Sequence, residues 1–202
     1  MSPYSRATTS VYLVPGDSVG VKRAICDSQR AGACTVHISG RYALLVERPK
    51  ETMMTSEEMV SRLHQFAKSG ASRDDVLKFA VGVMKEERPH YNWVGIYLLE
   101  GDTLVLHNYE GKPTEHTHIP VGVGVCGTAV AEKANQIVGD VTTLDNYLAC
   151  SLETRAEIVV LIRKGEQIFG QIDIDSDIPD VFTNADEALL NRVADVLADT
   201  LL

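Results

Sequence analysis

The segment Trp93-Val-Gly-Ile-Tyr-Leu-Leu-Glu-Gly-Asp-Thr-Leu-Val-Leu-His-Asn108 decides the fold of this 202-residue chain. Two runs rich in branched and aromatic residues, Trp93–Leu99 and Thr103–Asn108, flank the turn dipeptide Gly101-Asp102. Strand-like runs joined by a short glycine-containing turn predict an antiparallel hairpin. The runs mix polar and apolar residues, which is typical of a sheet with helices on one face only.

Helix signals lie on both sides of this hairpin. Three Ser or Thr residues are each followed three positions later by an acidic residue, which is the spacing of a helix N-terminal cap. These pairs are Thr55 with Glu58, Ser72 with Asp75, and Thr183 with Asp186. Apolar residues then recur with helical periodicity after each pair, so we expect two helices before the hairpin and one at the end of the chain.

A second pair of strands is expected at Glu157–Arg163 and Gln167–Ile174. Between the two hairpins, Val121–Gly127 is predicted as a glycine-punctuated loop that leads into a short helix at Thr128–Lys133. This order of elements predicts an α+β fold, with a central antiparallel sheet, helices packed on one face and ligand-binding loops on the other.

The first fifty residues have a different composition. Strand-like runs at Cys34–Ile38 and Tyr42–Val46 flank a turn and predict a small hairpin. We therefore expect a β-rich extension of unknown role over residues 1–50, followed by a domain over residues 51–202. The extension carries seven Lys and Arg against three Asp and Glu, a net charge of +4, although the whole chain has a net charge of −9.

Composition excludes several classes of protein. An apolar fraction of 45% and a charged fraction of 23% are ordinary for a chain that buries a core. The remaining 152 residues carry a net charge of −13, which repels phosphate backbones, so no nucleic-acid partner is expected. No apolar stretch is long enough for a membrane span, and the start lacks the pattern of a secretory signal. Four cysteines are too few for a disulfide scaffold, which favours a cytoplasmic thiol protein.

Two cysteines lie in segments of polar or glycine character. Cys126 has glycines around it, and Cys150 is followed by Arg155, which would favour a thiolate, and by Glu157, which would hold a proton. Composition alone favours a small buried apolar side chain for either thiol, the usual fate of a reduced cysteine, and the polar or glycine context shifts the balance towards a reactive thiol.

Carboxylates and aromatics form two further candidate groups. Strand alternation places Asp173 and Asp175 on one face, where they suit an ammonium group, a metal or a protonated acid, or simply a solvated strand end. Trp93 and Tyr97 share a strand face, which fits either a core pair or an apolar wall for a sulfur-bearing ligand. A third group, His107, His116 and His118, fits surface loops better than a metal site, although His116, His118 and the thiols are possible zinc ligands.

Four motifs occur together in order: Asn92-Trp-Val-Gly-Ile-Tyr97, Ile119-Pro-Val-Gly-Val-Gly-Val-Cys-Gly-Thr-Ala129, Ala149-Cys150 with Glu157-Ile-Val-Val, and Gly170-Gln-Ile-Asp-Ile-Asp-Ser176. Residues 55–202 resemble, through these motifs, the free methionine-(R)-sulfoxide reductases, which are single GAF domains. The resemblance does not include residues 1–50.

The resemblance implies a thiol reaction on free L-methionine (R)-S-oxide. Cys150 would be the nucleophile that becomes a sulfenic acid, and Cys126 would resolve it as a disulfide for thioredoxin or another dithiol to reduce. His116 stands where the family commonly has a third cysteine, so Cys126 is expected to resolve directly. No resident cofactor or metal is expected, and a homodimer is.

The resemblance also assigns the substrate-binding residues. Glu157, Asp173 and Asp175 would hold the ammonium and sulfoxide groups, with Glu157 also catalytic. Trp93 and Tyr97 would surround the methylthio end. The alternative is a non-catalytic GAF domain that binds a small ligand or senses redox state with the same pocket.

Overall fold

The structure, a computed structural model, describes residues 53–143 and 153–202 in full and the backbone of residues 34–37 and 43–46. The chain forms two compact units, Met1–Thr52 and Met53–Leu202. In the first unit, β1 (Cys34–His37) and β2 (Ala43–Val46) pair antiparallel, with Cys34 opposite Val46. The hairpin predicted there is therefore confirmed.

The second unit is built on a six-stranded antiparallel sheet with the strand order β5-β4-β3-β8-β7-β6. Its strands are β3 (Trp93–Glu100), β4 (Thr103–Glu110), β5 (His118–Pro120), β6 (Gln136–Val138), β7 (Ala156–Lys164) and β8 (Gln167–Ser176). The four long strands were predicted from the sequence. The edge strands β5 and β6 were missed because three residues are too few for an alternating pattern to show.

Among the described residues, four α-helices accompany the sheet, α1 (Ser56–Ala67), α2 (Arg73–Glu87), α3 (Gly124–Glu132) and α4 (Asn184–Leu201), together with a short 3-10 helix at Val141–Thr143. Thr55 and Thr183 form capping boxes at α1 and α4, and the Ser72 side chain caps α2, as the spacing predicted. Within residues 53–143 and 153–202, no helix combines the length and the apolar character needed to cross a bilayer.

Helices α1, α2 and α4 cover one face of the sheet. The strand residues on this face are apolar and fully buried, and they are Val94, Ile96, Ile158, Val160, Ile162, Ile172 and Ile174. They pack against helix residues such as Leu63, Met84 and Leu190. Burying each such side chain contributes about 1.5–3 kcal/mol to the free energy of unfolding, so this face stabilises the fold. Because α1, α2 and α4 all lie on this face, the opposite face is available for a ligand.

The opposite face carries loops and the short helix α3, as the predicted architecture requires. The helix begins at Gly124, four residues before the predicted start at Thr128, so Cys126 lies in its first turn and the prediction of a loop there is wrong. Packing of Val125, Cys126 and Ala129 against the sheet outweighs the low helix propensity of the glycines. Gly127 also fits closely, because a Cβ atom there would lie 2.4 Å from the Pro120 carbonyl oxygen.

Candidate active site

The register of three central strands gathers the predicted site residues on the face opposite α1, α2 and α4. Asp175 of β8 pairs with Trp93 of β3 on one side and with Glu157 of β7 on the other. Directly paired residues in a sheet project from the same face. Asp173, two positions before Asp175, pairs with Gly95 and lies on that face as well.

Three carboxyl groups are buried there. Glu157 is 4% exposed, Asp173 0% and Asp175 2%. The interpretation of the acidic pair as a solvated strand end is therefore wrong, because β8 continues to Ser176 and both side chains are enclosed. Cys126 reaches the cluster from α3, with its Sγ atom 3.8 Å from Oε1 of Glu157. One ligand atom each from Cys126, Glu157 and Asp173 lies within 4.8 Å of the other two.

Burial favours the protonated form of all three carboxyls. It raises the pKa of Glu157 well above its usual value, and the nearby Asp173 and Asp175 carboxyls raise it further. Burial also raises the pKa of Asp173 to about 7, although the Cys126 thiol and the Glu157 carboxyl lower it. The pKa of Asp175 is raised by burial and then by the charge of Asp173. The cluster therefore contains a protonated acid beside a thiol at neutral pH.

The same carboxyls retain unused hydrogen-bonding capacity. Within the described residues, none of the four carboxylate oxygens of Asp173 and Asp175 has a partner in hydrogen-bond geometry, although Asp173 lies near Cys126 and Glu157. A buried acceptor without a partner costs about 1–3 kcal/mol. A ligand that brings donors, such as an ammonium group, recovers that free energy when it binds.

Aromatic rings lie beside the acids. The ring centroids of Trp93 and Tyr97 are 6.4 Å apart, and Tyr109 stacks on Trp93 at 5.5 Å. The Trp93 indole donates to the carbonyl oxygen of Lys112, and the Tyr97 hydroxyl donates to that of His116 at 2.8 Å. Because both polar ring atoms bond to the loop after β4, the ring faces form a fixed apolar surface next to the cluster.

Two glycines make room for the Trp93 indole. A Cβ atom at Gly95 would lie 2.2 Å from the indole, and one at Gly111 would lie 2.6 Å from it. Gly111 also has a φ of 142°, which side chains disfavour. Sequence reasoning missed both positions, although Gly95 stands between Trp93 and Tyr97 on the same strand face.

Cys150, the predicted nucleophile, lies outside the described residues. Three residues later in the chain, Glu153 forms an ion pair with Lys112 of the loop after β4. Arg155, expected to favour a thiolate, donates a hydrogen bond to Asp140 at 2.9 Å.

The histidines do not join the cluster. His107 lies 3.3 Å from Asp74 of α2, and His118 is exposed on β5. In the described part of the chain, the group of closely spaced metal-ligating atoms consists of Cys126, Glu157 and Asp173 and includes neither His116 nor His118.

Gln171 is a residue of this face that sequence reasoning missed. It pairs with Tyr97 and Leu161, is fully buried, and its amide nitrogen and oxygen have no partner among the described residues. The signal was present in the sequence, because Gln171 precedes Asp173 by two positions on the same strand.

The fold and the site define the class of protein. The sequence pattern of the GAF domain matches residues 82–201, more than half of the chain. The chain therefore belongs to the GAF domain family.

Similarity to individual proteins identifies the group of GAF domain proteins to which the chain belongs. The chain is 42% identical over 119 residues to the free methionine-R-sulfoxide reductase of Escherichia coli, covering 59% of this chain and 72% of that protein. The structure of the free methionine-R-sulfoxide reductase of Neisseria meningitidis in complex with its substrate is 31% identical, with a TM-score of 0.68 over 72% of this chain and 87% of that one. The Staphylococcus aureus structure with substrate is 32% identical, with a TM-score of 0.67 over 75% and 99%. Within the GAF domain family, the chain belongs to the free methionine-R-sulfoxide reductases.

Proposed function

We propose that this chain reduces free L-methionine (R)-S-oxide to L-methionine with its own thiols. The observation that carries the proposal is the buried group of Cys126, Glu157 and Asp173 beside the Trp93 and Tyr97 rings. A thiol, a protonated acid and an apolar wall are the parts that reduction of a methyl sulfoxide requires.

Cys150 supplies the attacking thiol in this proposal. Its sulfur bonds to the sulfoxide sulfur, and the sulfoxide oxygen takes a proton from Glu157. The oxygen then transfers to Cys150, which becomes a sulfenic acid, and methionine leaves as the thioether. Support for Glu157 as the proton donor comes from its burial, which raises its pKa and keeps it protonated at neutral pH.

Cys126 completes the cycle. Its thiol attacks the Cys150 sulfenic acid, a disulfide forms and water leaves. An external dithiol such as thioredoxin then reduces the disulfide. The family commonly has a third cysteine at the position of His116. The His116 carbonyl oxygen accepts a hydrogen bond from Tyr97 of the site, so a cysteine at this position would lie close to the thiols of this cycle.

The amino-acid end of the substrate is held by Asp173 and Asp175. Asp173 and Asp175 have acceptor oxygens without partners, and the ammonium group of a free amino acid supplies donors to them. A peptide-bound methionine sulfoxide lacks this ammonium group and leaves the acceptors unsatisfied, which selects the free amino acid. We further propose that the protein works as a homodimer in the cytoplasm, as the family resemblance implies.

The test is consumption of four substrates by the full chain with thioredoxin: the free (R) and (S) sulfoxides and their N-acetyl forms. We expect turnover of the free (R) form alone, none with Cys150→Ser, and a single turnover without recycling with Cys126→Ser. His116→Ala is the matched control and is expected to retain turnover, because the hydrogen bond from the Tyr97 hydroxyl goes to the His116 carbonyl oxygen, which alanine keeps. Tight binding of the sulfoxide without its reduction would instead support a ligand-sensing domain.

A further inference from the structure

We propose that Cys126, Glu157 and Asp173 form a binding site for Zn²⁺, and that zinc excludes the substrate from the active site. The proposed zinc site is supported by the spacing of the Cys126, Glu157 and Asp173 side chains alone. The competition with substrate rests on the proposed function.

The spacing of the three side chains fits zinc. Tetrahedral zinc holds sulfur at about 2.3 Å and carboxylate oxygen at about 2.0–2.2 Å, which separates the two ligand atoms by about 3.6 Å. The Sγ atom of Cys126 and the Oε1 atom of Glu157 are 3.8 Å apart. The Asp173 oxygen lies within 4.8 Å of both atoms, so a small displacement brings all three into contact with one ion.

The combination of one thiol and two carboxyl groups determines which metal ion binds. Thiolate favours zinc over Mg²⁺ and Ca²⁺, which prefer oxygen ligands. The three side chains come from α3, β7 and β8, so the folded chain already holds the ligands together. A water molecule or an Asp175 oxygen is available for the fourth position, since Asp175 lies on the same strand face as Asp173.

A second observation points to a cation independently of the thiol. Both oxygens of Asp173 and both of Asp175 are buried without a hydrogen-bond partner among the residues that the structure describes. Among the described basic side chains, Lys112 forms an ion pair with Glu153, and Arg155 forms one with Asp140. Zinc binding displaces the protons of these buried acids, and the resulting carboxylates then have the cation as their partner.

Zinc and the substrate therefore need the same groups. The ammonium group of a free amino acid and a zinc ion both bind the buried carboxylates, so binding of one excludes the other. Zinc also occupies the Cys126 sulfur, which prevents that thiol from attacking a sulfenic acid or reacting with an alkylating reagent. The metal acts in this proposal as a reversible inhibitor and has no part in the redox steps.

The binding test uses the full chain, reduced and freed of metal, titrated with Zn²⁺ against a chromophoric chelator. We expect one zinc per chain, with affinity roughly tenfold to a hundredfold lower in Cys126→Ser and in Asp173→Asn. Because the chain also contains Cys26 and Cys34, the Cys26→Ser/Cys34→Ser double variant is the matched control and keeps wild-type affinity. Cobalt gives a second readout, since the thiolate-to-cobalt charge-transfer band is expected in wild type and lost in Cys126→Ser.

Unchanged zinc affinity in Cys126→Ser and Asp173→Asn, or its loss in the Cys26→Ser/Cys34→Ser control, would overturn the site. The kinetic arm follows a single turnover of the pre-reduced chain without any external thiol, which would itself chelate zinc. We expect zinc to raise the substrate concentration needed for half-maximal rate and EDTA to reverse the effect. If the chain binds zinc through Cys126 but reduces no sulfoxide, the metal site stands and the proposed function is refuted. If the chain reduces the sulfoxide but binds no zinc through Cys126, the metal site is refuted and the proposed function stands.

Discussion

Gly95 of β3 lies directly opposite Asp173 of β8, and the space where a Gly95 side chain would stand is filled by the indole of Trp93. Because Gly95 has no side chain, the Trp93 indole can lie next to the buried Asp173. The proposed substrate site depends on this arrangement, because the ring is the apolar wall proposed for the methylthio group.

Gly95→Ala is expected to displace the indole and to raise KM for the sulfoxide about tenfold or more. A Cβ atom would lie 2.2 and 2.4 Å from two indole carbons, so the ring must move. Trp93 is the only tryptophan of the chain and is 5% exposed, so its fluorescence emission reports this movement as a shift to longer wavelength.

Gly82→Ala is the matched control for that substitution. Gly82 lies inside α2, and a Cβ atom there meets nothing within 4 Å. Alanine has the higher helix propensity, so this variant is expected to gain about 0.5–1 kcal/mol in unfolding free energy with unchanged KM and emission. Equal emission spectra in Gly95→Ala and wild type would contradict the placement of the indole.

Glu157→Gln is expected to lower the rate of sulfoxide reduction by about 10²- to 10⁴-fold, the usual contribution of a positioned acid. Glutamine keeps the shape of the side chain but has no proton to give to the sulfoxide oxygen. The measurement is methionine released in a single turnover, compared with substrate binding followed by Trp93 fluorescence. Bound substrate with wild-type reduction would show that the proton comes from another group.

Asp173→Asn is expected to change how stability depends on pH. Burial raises the pKa of Asp173 from 3.8 to about 7, so between these values the folded state binds more protons than the unfolded state. The unfolding free energy of the wild type therefore falls as pH rises through this window, by up to about 1.4 kcal/mol per pH unit for one group. Asparagine does not titrate, so the variant gains stability relative to wild type toward pH 7.

Urea denaturation at several pH values between about 4 and 7 measures this difference. Asp195→Asn, which removes an exposed carboxyl from α4, is the control for loss of an acid and should follow the wild-type curve. Curves of Asp173→Asn and wild type that stay parallel over the window would show that Asp173 is not titrating from a buried position.

Local sequence signals account for most of the fold. The caps at Thr55, Ser72 and Thr183 marked three helix starts because a cap is a contact between residues three apart. Alternation placed Asp173 and Asp175 on one strand face because successive strand residues point in opposite directions. Both patterns need only neighbouring residues, so they can be read without tertiary structure.

The contacts that complete the site are not local. The thiol of Cys126 and the carboxyl of Glu157 are 31 residues apart in the chain. Their approach depends on α3 starting at Gly124 and packing on the sheet, and glycines hide that start because they are poor helix formers. The family resemblance predicted that Cys126 and Glu157 belong to one site. The sequence around each cysteine did not by itself distinguish a reactive thiol from an inert core residue.

Gln171→Met is expected to stabilise the protein by about 1 kcal/mol or more. The Gln171 amide is fully buried beside Tyr97 and Leu161 with no hydrogen-bond partner in the described chain, and a buried unpaired polar group costs about 1–3 kcal/mol. Methionine has a similar length and fills the space without a polar group. Thermal or urea unfolding measures the gain. Gln136→Met is the control, because the Gln136 amide is half-buried and already bonds to Glu132, and its effect should stay within about 0.5 kcal/mol. A destabilised Gln171→Met would mean that the amide is satisfied in solution.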